Sequence, residues 1–382
     1  MKILLIHNYY RFRGGEETYF HSLDSLLKKQ GHSTFLYTKD SRDIAKKHIS
    51  KSSIGTGQFW NQSTFQELES VIQKFRPDIA HFNNIFPLIT PSAYYACNKN
   101  EVPVVQTIHN YKLVCPKGTL FRNGKICELC TKKKFPYPSI IHKCYQGSYI
   151  ASLATSSAFY YHSFKRTYDF VNKFLFPSQF TYLYHLKLLP ELADKSTVLP
   201  YYIEGKKLTR GKLQYFLYIG RFSEEKGIDE LLKLFATIPS AQLIAAGDGP
   251  RKESLKKKYS HLPNISFLDF QSSEDMTLLF KNAICLIIPS KWYEVLPFVY
   301  LEAMSKGIPV LTPQTPAFTR SIASEKEYYY TFDDFSDLKT KILTLLKNPK
   351  PSSGNLFYDE YRAHFTPEVH YSKLERIYHD LL

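Results

Sequence analysis

Gln214-Tyr-Phe-Leu-Tyr-Ile219, then Gly220-Arg-Phe-Ser-Glu-Glu-Lys-Gly227, then Ile228-Asp-Glu-Leu-Leu-Lys-Leu-Phe235 is the stretch on which the fold turns. The apolar, aromatic run Gln214–Ile219 predicts a buried strand, and Glu224–Phe235 carries a helical pattern. A strand entering a helix through a glycine turn is one step of a parallel sheet covered by helices. The pattern continues outward. Gln242–Ala246, Ile265–Leu268, Ala283–Ile288 and Pro309–Thr312 read as strands, with helices at Lys252–Tyr259, Ser273–Lys281 and Pro297–Ser305 between them. The first half repeats the scheme, with strands at Lys2–His7, Thr34–Tyr37, Ile79–Asn83, Val102–Ile108 and Lys173–Phe176. Its first helix, Glu16–Gln30, gathers Phe20, Leu23, Leu26 and Leu27 on one face, and Phe65–Phe75 is a second amphipathic stretch. The expectation is an α/β chain of two doubly wound units, residues 1–197 and 198–354. A last helical segment, residues 355–382, has no strand after it and is expected to return to the first unit.

Bulk properties agree with a soluble globular protein: 382 residues, 43% hydrophobic and 22% charged. No run approaches the roughly 18–20 apolar residues that cross a bilayer. The apolar stretch in Met1–His7 is shorter than a secretory signal needs, so a cytoplasmic location is expected. The net charge of +15 fits a solubilising lysine surface, a phosphate-bearing partner or an anionic membrane face. Nucleic acid is not expected, because no zinc-finger spacing, RNA-recognition signature or basic heptad helix is present.

In doubly wound sheets ligands sit beyond the carboxyl ends of the strands, so candidate residues are those that follow strands. Gly14-Gly15 opens the first helix, where backbone N–H groups could meet an anion; a structural loop fits equally. No G-x-G-x-x-G follows that strand, which argues against a dehydrogenase. Arg221 and Lys226 flank the mouth of the next helix and could hold a diphosphate as it departs; a solvated turn is the other reading. Gly247 and Gly249, again between strand and helix, suit a nucleotide wall or an ordinary turn. In Pro289–Met304, Glu294 stands at a helix entrance and Glu302 inside the helix among apolar residues, where a carboxylate needs a partner. A ribose diol or a local ion pair would serve Glu302.

Glu294 and Glu302, with seven residues between them, form the E-x7-E pattern of retaining glycosyltransferases of family GT4, which this sequence resembles. G-R-F-S-E-E-K-G (220–227), A-A-G-D-G-P (245–250) and L-E-A-M-S-K-G-I-P-V (301–310) reinforce the resemblance and stand in the family's order. It implies the GT-B fold: two facing Rossmann-like domains, an inter-domain cleft, and a C-terminal helix packing back on the N-terminal domain. It implies that Arg221 and Lys226 bind the donor diphosphate, Glu294 the donor sugar and Glu302 the ribose, with Gly15 near the phosphates. His109, after the fourth strand, matches the family's active-site histidine. Gly14, Gly220, Gly247, Gly249, Val295 and Leu296 complete the implied donor-binding set. Val295-Leu-Pro-Phe298 departs from the glycine-rich stretch of many members. The implied reaction transfers a sugar from a UDP- or GDP-linked donor to a glycan acceptor, lipid-linked by family habit, in surface polysaccharide synthesis. The leaving phosphate takes the acceptor's proton, and the two cations stand where a catalytic metal would otherwise act.

Cys115, Cys127, Cys130 and Cys144 fall in one insertion, about residues 111–150. The C-x-x-C of Cys127 and Cys130 is half a zinc site, so a structural Zn2+ is expected there, with free thiols as the alternative. Two other functions fit the architecture: a nucleotide-sugar epimerase, and a non-catalytic sugar-nucleotide-binding subunit. The joint presence of Arg221, Lys226, Glu294 and Glu302 argues against the latter.

Overall fold

The computed structural model describes residues 1–10, 14–46, 50–269, 273–315, 318, 328–350 and 352–382. The chain divides into two compact units: residues 1–120, 127–200 and 370–382 in the first, and residues 121–126 and 201–369 in the second.

The first unit holds β1 (Lys2–Tyr9), β2 (Ser33–Asp40), β3 (Ile79–Phe82) and β4 (Val104–Thr107). A two-stranded hairpin follows, β5 (Phe121–Arg122) and β6 (Lys125–Ile126), and groups with the second unit. β7 (Lys173–Phe176) and β8 (Ser196–Val198) complete the first sheet. Its order is β2-β1-β3-β4-β7-β8, with every pairing parallel. Central strands are buried on both faces, so Ile3–Ile6 read as an unbroken apolar run, without alternation. The helix Gly15–Lys29 buries Tyr19, Phe20, Leu23, Leu26 and Leu27, at helical spacing.

The second unit starts the pattern again with β9 (Tyr215–Ile219), β10 (Leu243–Ala246), β11 (Ile265–Leu268), β12 (Ala283–Ile287), β13 (Val310–Gln314) and β14 (Tyr329–Thr331). Its parallel order is β11-β10-β9-β12-β13-β14. Successive strands run outward one way from β9 and then the other way from β12. The strand order therefore reverses between β9 and β12, the kind of point at whose carboxyl ends doubly wound sheets take their ligands.

The last helix, Pro367–His379, ends the chain inside the first unit. Leu374 and Tyr378 are fully buried there. The Tyr378 hydroxyl bonds His81 Nδ1 at 2.6 Å, and His81 Nε2 bonds Thr107 Oγ1 at 2.7 Å. His370 reaches the Pro200 carbonyl through Nδ1 at 2.7 Å and the Tyr19 hydroxyl through Nε2 at 3.2 Å. Burial pushes His81 down to about 3 and His370 to about 4, so both imidazoles are neutral in the fold.

These histidines set a pH dependence. In the unfolded chain they protonate near the ordinary value of about 6.5, whereas in the fold they do not. Their stability contribution is full above that value and is lost as pH falls toward 4. The urea midpoint should therefore drop steadily between pH 7 and pH 5. An unchanged midpoint over that interval would show that the two rings are not held neutral.

Candidate donor site

The loop after β9 is shaped by close backbone approaches. Gly220 N–H donates to the Ala246 carbonyl at 3.1 Å and Phe222 N–H to the Asp248 carbonyl at 2.8 Å. A Cβ on Gly247 would lie 2.0 Å from the Gly220 carbonyl oxygen, and one on Gly249 2.6 Å from Phe222 backbone atoms. A short turn, Glu224–Lys226, then ends at Gly227, whose φ of 68° and ψ of 17° start the helix Ile228–Phe235. There the chain presses on the loop after β12: a Cβ on Gly227 would stand 2.0 Å from the Pro289 carbonyl oxygen. Lys291 N–H donates to the Glu225 carbonyl at 2.9 Å, and Lys291 Nζ pairs with Glu230. The loops after β9 and β12 are thus laced together.

That lacing brings Lys226 and Glu294 into contact. Lys226 Nζ donates to Glu294 Oε1 at 2.7 Å, and Ser290 Oγ donates to the same oxygen at 2.5 Å. Glu294 is only 4% exposed, a burial that a carboxylate tolerates when paired and hydrogen-bonded. Lys226 Nζ also lies 5.1 Å from the Trp292 ring centroid. The buried Trp292 Nε1 has no hydrogen-bond partner among the described residues, an unmet donor beside the ion pair. Val295 and Leu296 are buried next in sequence, and Pro297 precedes the helix Phe298–Ser305. Glu302 lies within that helix, where burial raises its carboxyl above the usual range and the Lys306 charge partly offsets the rise. Arg221 is exposed on the loop, and its carbonyl accepts from the Tyr218 hydroxyl at 2.8 Å. Gly124, in the hairpin, comes to the same region: a Cβ there would be 3.3 Å from Glu224 Oε1 and 3.7 Å from Lys291 Nζ.

In the first unit, His109 follows β4 and its Nε2 meets Asn83 Oδ1 at 2.9 Å. Burial, with the neighbouring His7 and His81, holds His109 well below the usual histidine range. Gly14 caps the helix Gly15–Lys29, which bears Glu16 and Glu17 in its first turn. Lys112, a cation that spacing did not single out, is pushed down to about 8 by burial. Its ammonium sits 4.2 Å from the Phe86 ring centroid.

The cysteines of the insertion lie as follows. Cys115, Cys127, Cys130 and Cys144 are all half-buried. They gather near enough for Cys115, Cys144 and Cys127 to add to burial in pushing the Cys130 thiol up to about 12. Yet among the described residues no three His, Cys, Asp or Glu side chains are placed to hold a metal. Cys130 Sγ is instead directed at the Pro136 carbonyl, 3.8 Å away. The C-x-x-C spacing and the insertion bring the four thiols into one neighbourhood.

Comparison with known proteins gives the family. Residues 13–203 match the family described as Glycosyltransferase Family 4, and residues 203–360 match Glycosyl transferases group 1. The chain belongs to glycosyltransferase family 4 and is a glycosyltransferase. It is 25% identical over 287 residues to the sulfoquinovosyl transferase SQD2 of Arabidopsis thaliana, a match covering 72% of this chain. That alignment takes in 51% of the plant protein, so the chain spans about half the length of that relative. The alpha-monoglucosyldiacylglycerol synthase of Streptococcus pneumoniae is 23% identical over 402 residues, covering 98% of this chain and 85% of the relative. Among solved structures, Anabaena Alr3699/HepE in complex with UDP-glucose superposes with a TM-score of 0.67 at 13% identity, covering 99% of each chain. A likeness at that identity speaks for the fold, which is GT-B.

The backbone contact at Gly227 is testable by one added methyl group. Left-handed backbone alone costs a non-glycine residue about 1–2 kcal/mol, and the Pro289 carbonyl cannot rotate away as a side chain could. Gly227→Ala should lower chemical stability by at least that amount, whereas Gly14→Ala, with nothing within 4 Å of the new carbon, should not. A Gly227→Ala chain as stable as the parent would remove the contact from the account.

Proposed function

We propose that the chain transfers a hexose, with retention at the anomeric carbon, from a UDP- or GDP-linked donor to a lipid-linked glycan acceptor. The setting is surface polysaccharide synthesis at the cytoplasmic, inner face of a membrane. The observation that carries this reading is the Lys226–Glu294 pair beside the unmet Trp292 N–H, at the point where the second sheet reverses its strand order.

A donor diphosphate placed there would meet the Lys226 ammonium, the Arg221 guanidinium and the backbone N–H groups at the start of the helix Ile228–Phe235. The bond between the anomeric carbon and the phosphate oxygen breaks with its electron pair moving to the diphosphate. The acceptor hydroxyl forms the new bond on the same face and passes its proton to the departing phosphate. Cations aimed at that developing charge are the main source of rate. These side chains are assigned the neutralising role that a metal plays in other transferases. Glu294, held by Lys226 and Ser290, is oriented to accept sugar hydroxyls, and Glu302 to accept the ribose diol. Gly220, Gly247 and Gly249 leave room for the nucleotide. His109, which burial holds well below the usual histidine range, is assigned the family's active-site position without a positive charge. Gly14 and Gly15 border the acceptor side. The glycolipid named for the pneumococcal relative supports a lipid-linked acceptor, and UDP-glucose in the Anabaena structure supports a nucleotide-sugar donor.

Lys226→Gln tests the role of the cation while leaving a donor for the buried Glu294. We expect kcat to fall about 10²-fold or more with the melting temperature little changed. Donor affinity should rise with pH as Glu302 loses its proton above the usual carboxyl range, and Glu302→Gln should flatten that step. Parent-like kcat in the first variant, together with a parent-like pH profile in the second, would reject the site.

A further inference from the structure

The helix Tyr149–Phe164 has no part in the chemistry above, yet its outer side is strongly apolar. Ile150 is 82% exposed, Leu153 49% and Phe164 72%, with Tyr160 also exposed between them. Positions 150, 153, 160 and 164 share one helical face, while Ser152, Thr155, Ser156, Ala158 and His162 turn inward. The short helix Pro138–Ile141 extends the patch with exposed Ile141, and Tyr137 is exposed just before it. The two segments meet where the Phe135 ring lies edge-on to Tyr160, at 5.7 Å. A contiguous apolar surface of this kind marks an interaction site, unlike isolated exposed residues.

Charge identifies the partner. Between Leu129 and Arg166 the sequence carries Lys132, Lys133, Lys134, Lys143, Lys165 and Arg166, and neither aspartate nor glutamate. Arg166 pairs with Asp169 just beyond the span. The lysines belong to the same surface: Lys143 Nζ is 4.4 Å from the Tyr149 ring centroid and Lys133 Nζ 5.8 Å from that of Tyr137. A symmetric dimer through this face would oppose two like-charged patches. A nucleic acid would leave Ile141, Ile150 and Leu153 without apolar contact. A bilayer with anionic headgroups satisfies both parts, with phosphates for the lysines and acyl chains for the aliphatic stripe. The tyrosines fit the headgroup level between them.

We propose that the face formed by residues 137–141 and the helix Tyr149–Phe164 docks the protein on an anionic bilayer. Its purpose rests on the lipid-linked acceptor reading, but its binding is measured without donor or acceptor.

The test is co-sedimentation of the full chain with vesicles of phosphatidylcholine alone, or of phosphatidylcholine mixed with phosphatidylglycerol. The parent protein should sediment with the mixed vesicles and stay in solution with the neutral ones. The double variant Ile150→Glu/Phe164→Glu, and separately Lys132→Glu/Lys133→Glu/Lys134→Glu, should each weaken partitioning about tenfold or more. All these positions are exposed, so melting temperature and elution volume should match the parent. A parent that ignores anionic vesicles, or variants that bind as it does, would overturn the proposal. So would a parent dimer that the first variant splits without lipid, which would assign the face to a second copy. If docking behaves as expected while Glu302→Gln transfers sugar like the parent, the donor-site reading fails and the docking face stands.

Discussion

The second unit depends on a backbone approach that allows no side chain. Gly227 sits against the Pro289 carbonyl, Gly247 against the Gly220 carbonyl and Gly249 against the Phe222 backbone, each closer than any Cβ would permit. A clash with backbone cannot be relieved by a rotamer change, so the three glycines fix how nearly the strand-end loops converge. The Lys226–Glu294 contact follows from that convergence. Two residues 68 positions apart meet at 2.7 Å because the turns carrying them are pressed together across the strand-order reversal.

The two units manage polarity in opposite ways. In the second, the candidate site pairs its polar groups: the buried Glu294 carboxyl is shared by Lys226 and Ser290, and burial raises the Glu302 carboxyl above the usual range. In the first, burial holds His7, His81, His109 and His370 below the usual histidine range, and the rings of His81 and His370 are hydrogen-bonded through both nitrogens. The C-terminal helix is part of this arrangement, since Tyr378 and His370 supply bonds that no earlier segment provides.

Much of the fold was legible because buried parallel strands write themselves as apolar runs, as in Lys2–His7 and Ala283–Ile288. β8 and β14 escaped because three residues are too few to show a pattern. The helix Tyr149–Phe164 escaped because its buried side is mostly Ser, Thr, Ala and His while Ile150, Leu153 and Phe164 lie outward, so the usual apolar-inward pattern is inverted. For the site, glycines and charges at strand ends were visible, but not which of them touch. Ser290 and Trp292 were in plain sight beside Glu294 and no spacing rule marks them. The cysteines show the limit of spacing most clearly. C-x-x-C constrains Cys127 and Cys130 to one turn, but says nothing about where the sulfurs of Cys115 and Cys144 point.

The central claim is that one pocket of the second unit holds a nucleoside diphosphate. A crystal structure of the chain soaked with UDP, and in parallel with GDP, addresses it directly. The account expects difference density for the pyrophosphate within hydrogen-bond reach of Lys226 Nζ and for the ribose hydroxyls at the Glu302 carboxylate. Nucleotide density that leaves both residues untouched would contradict it.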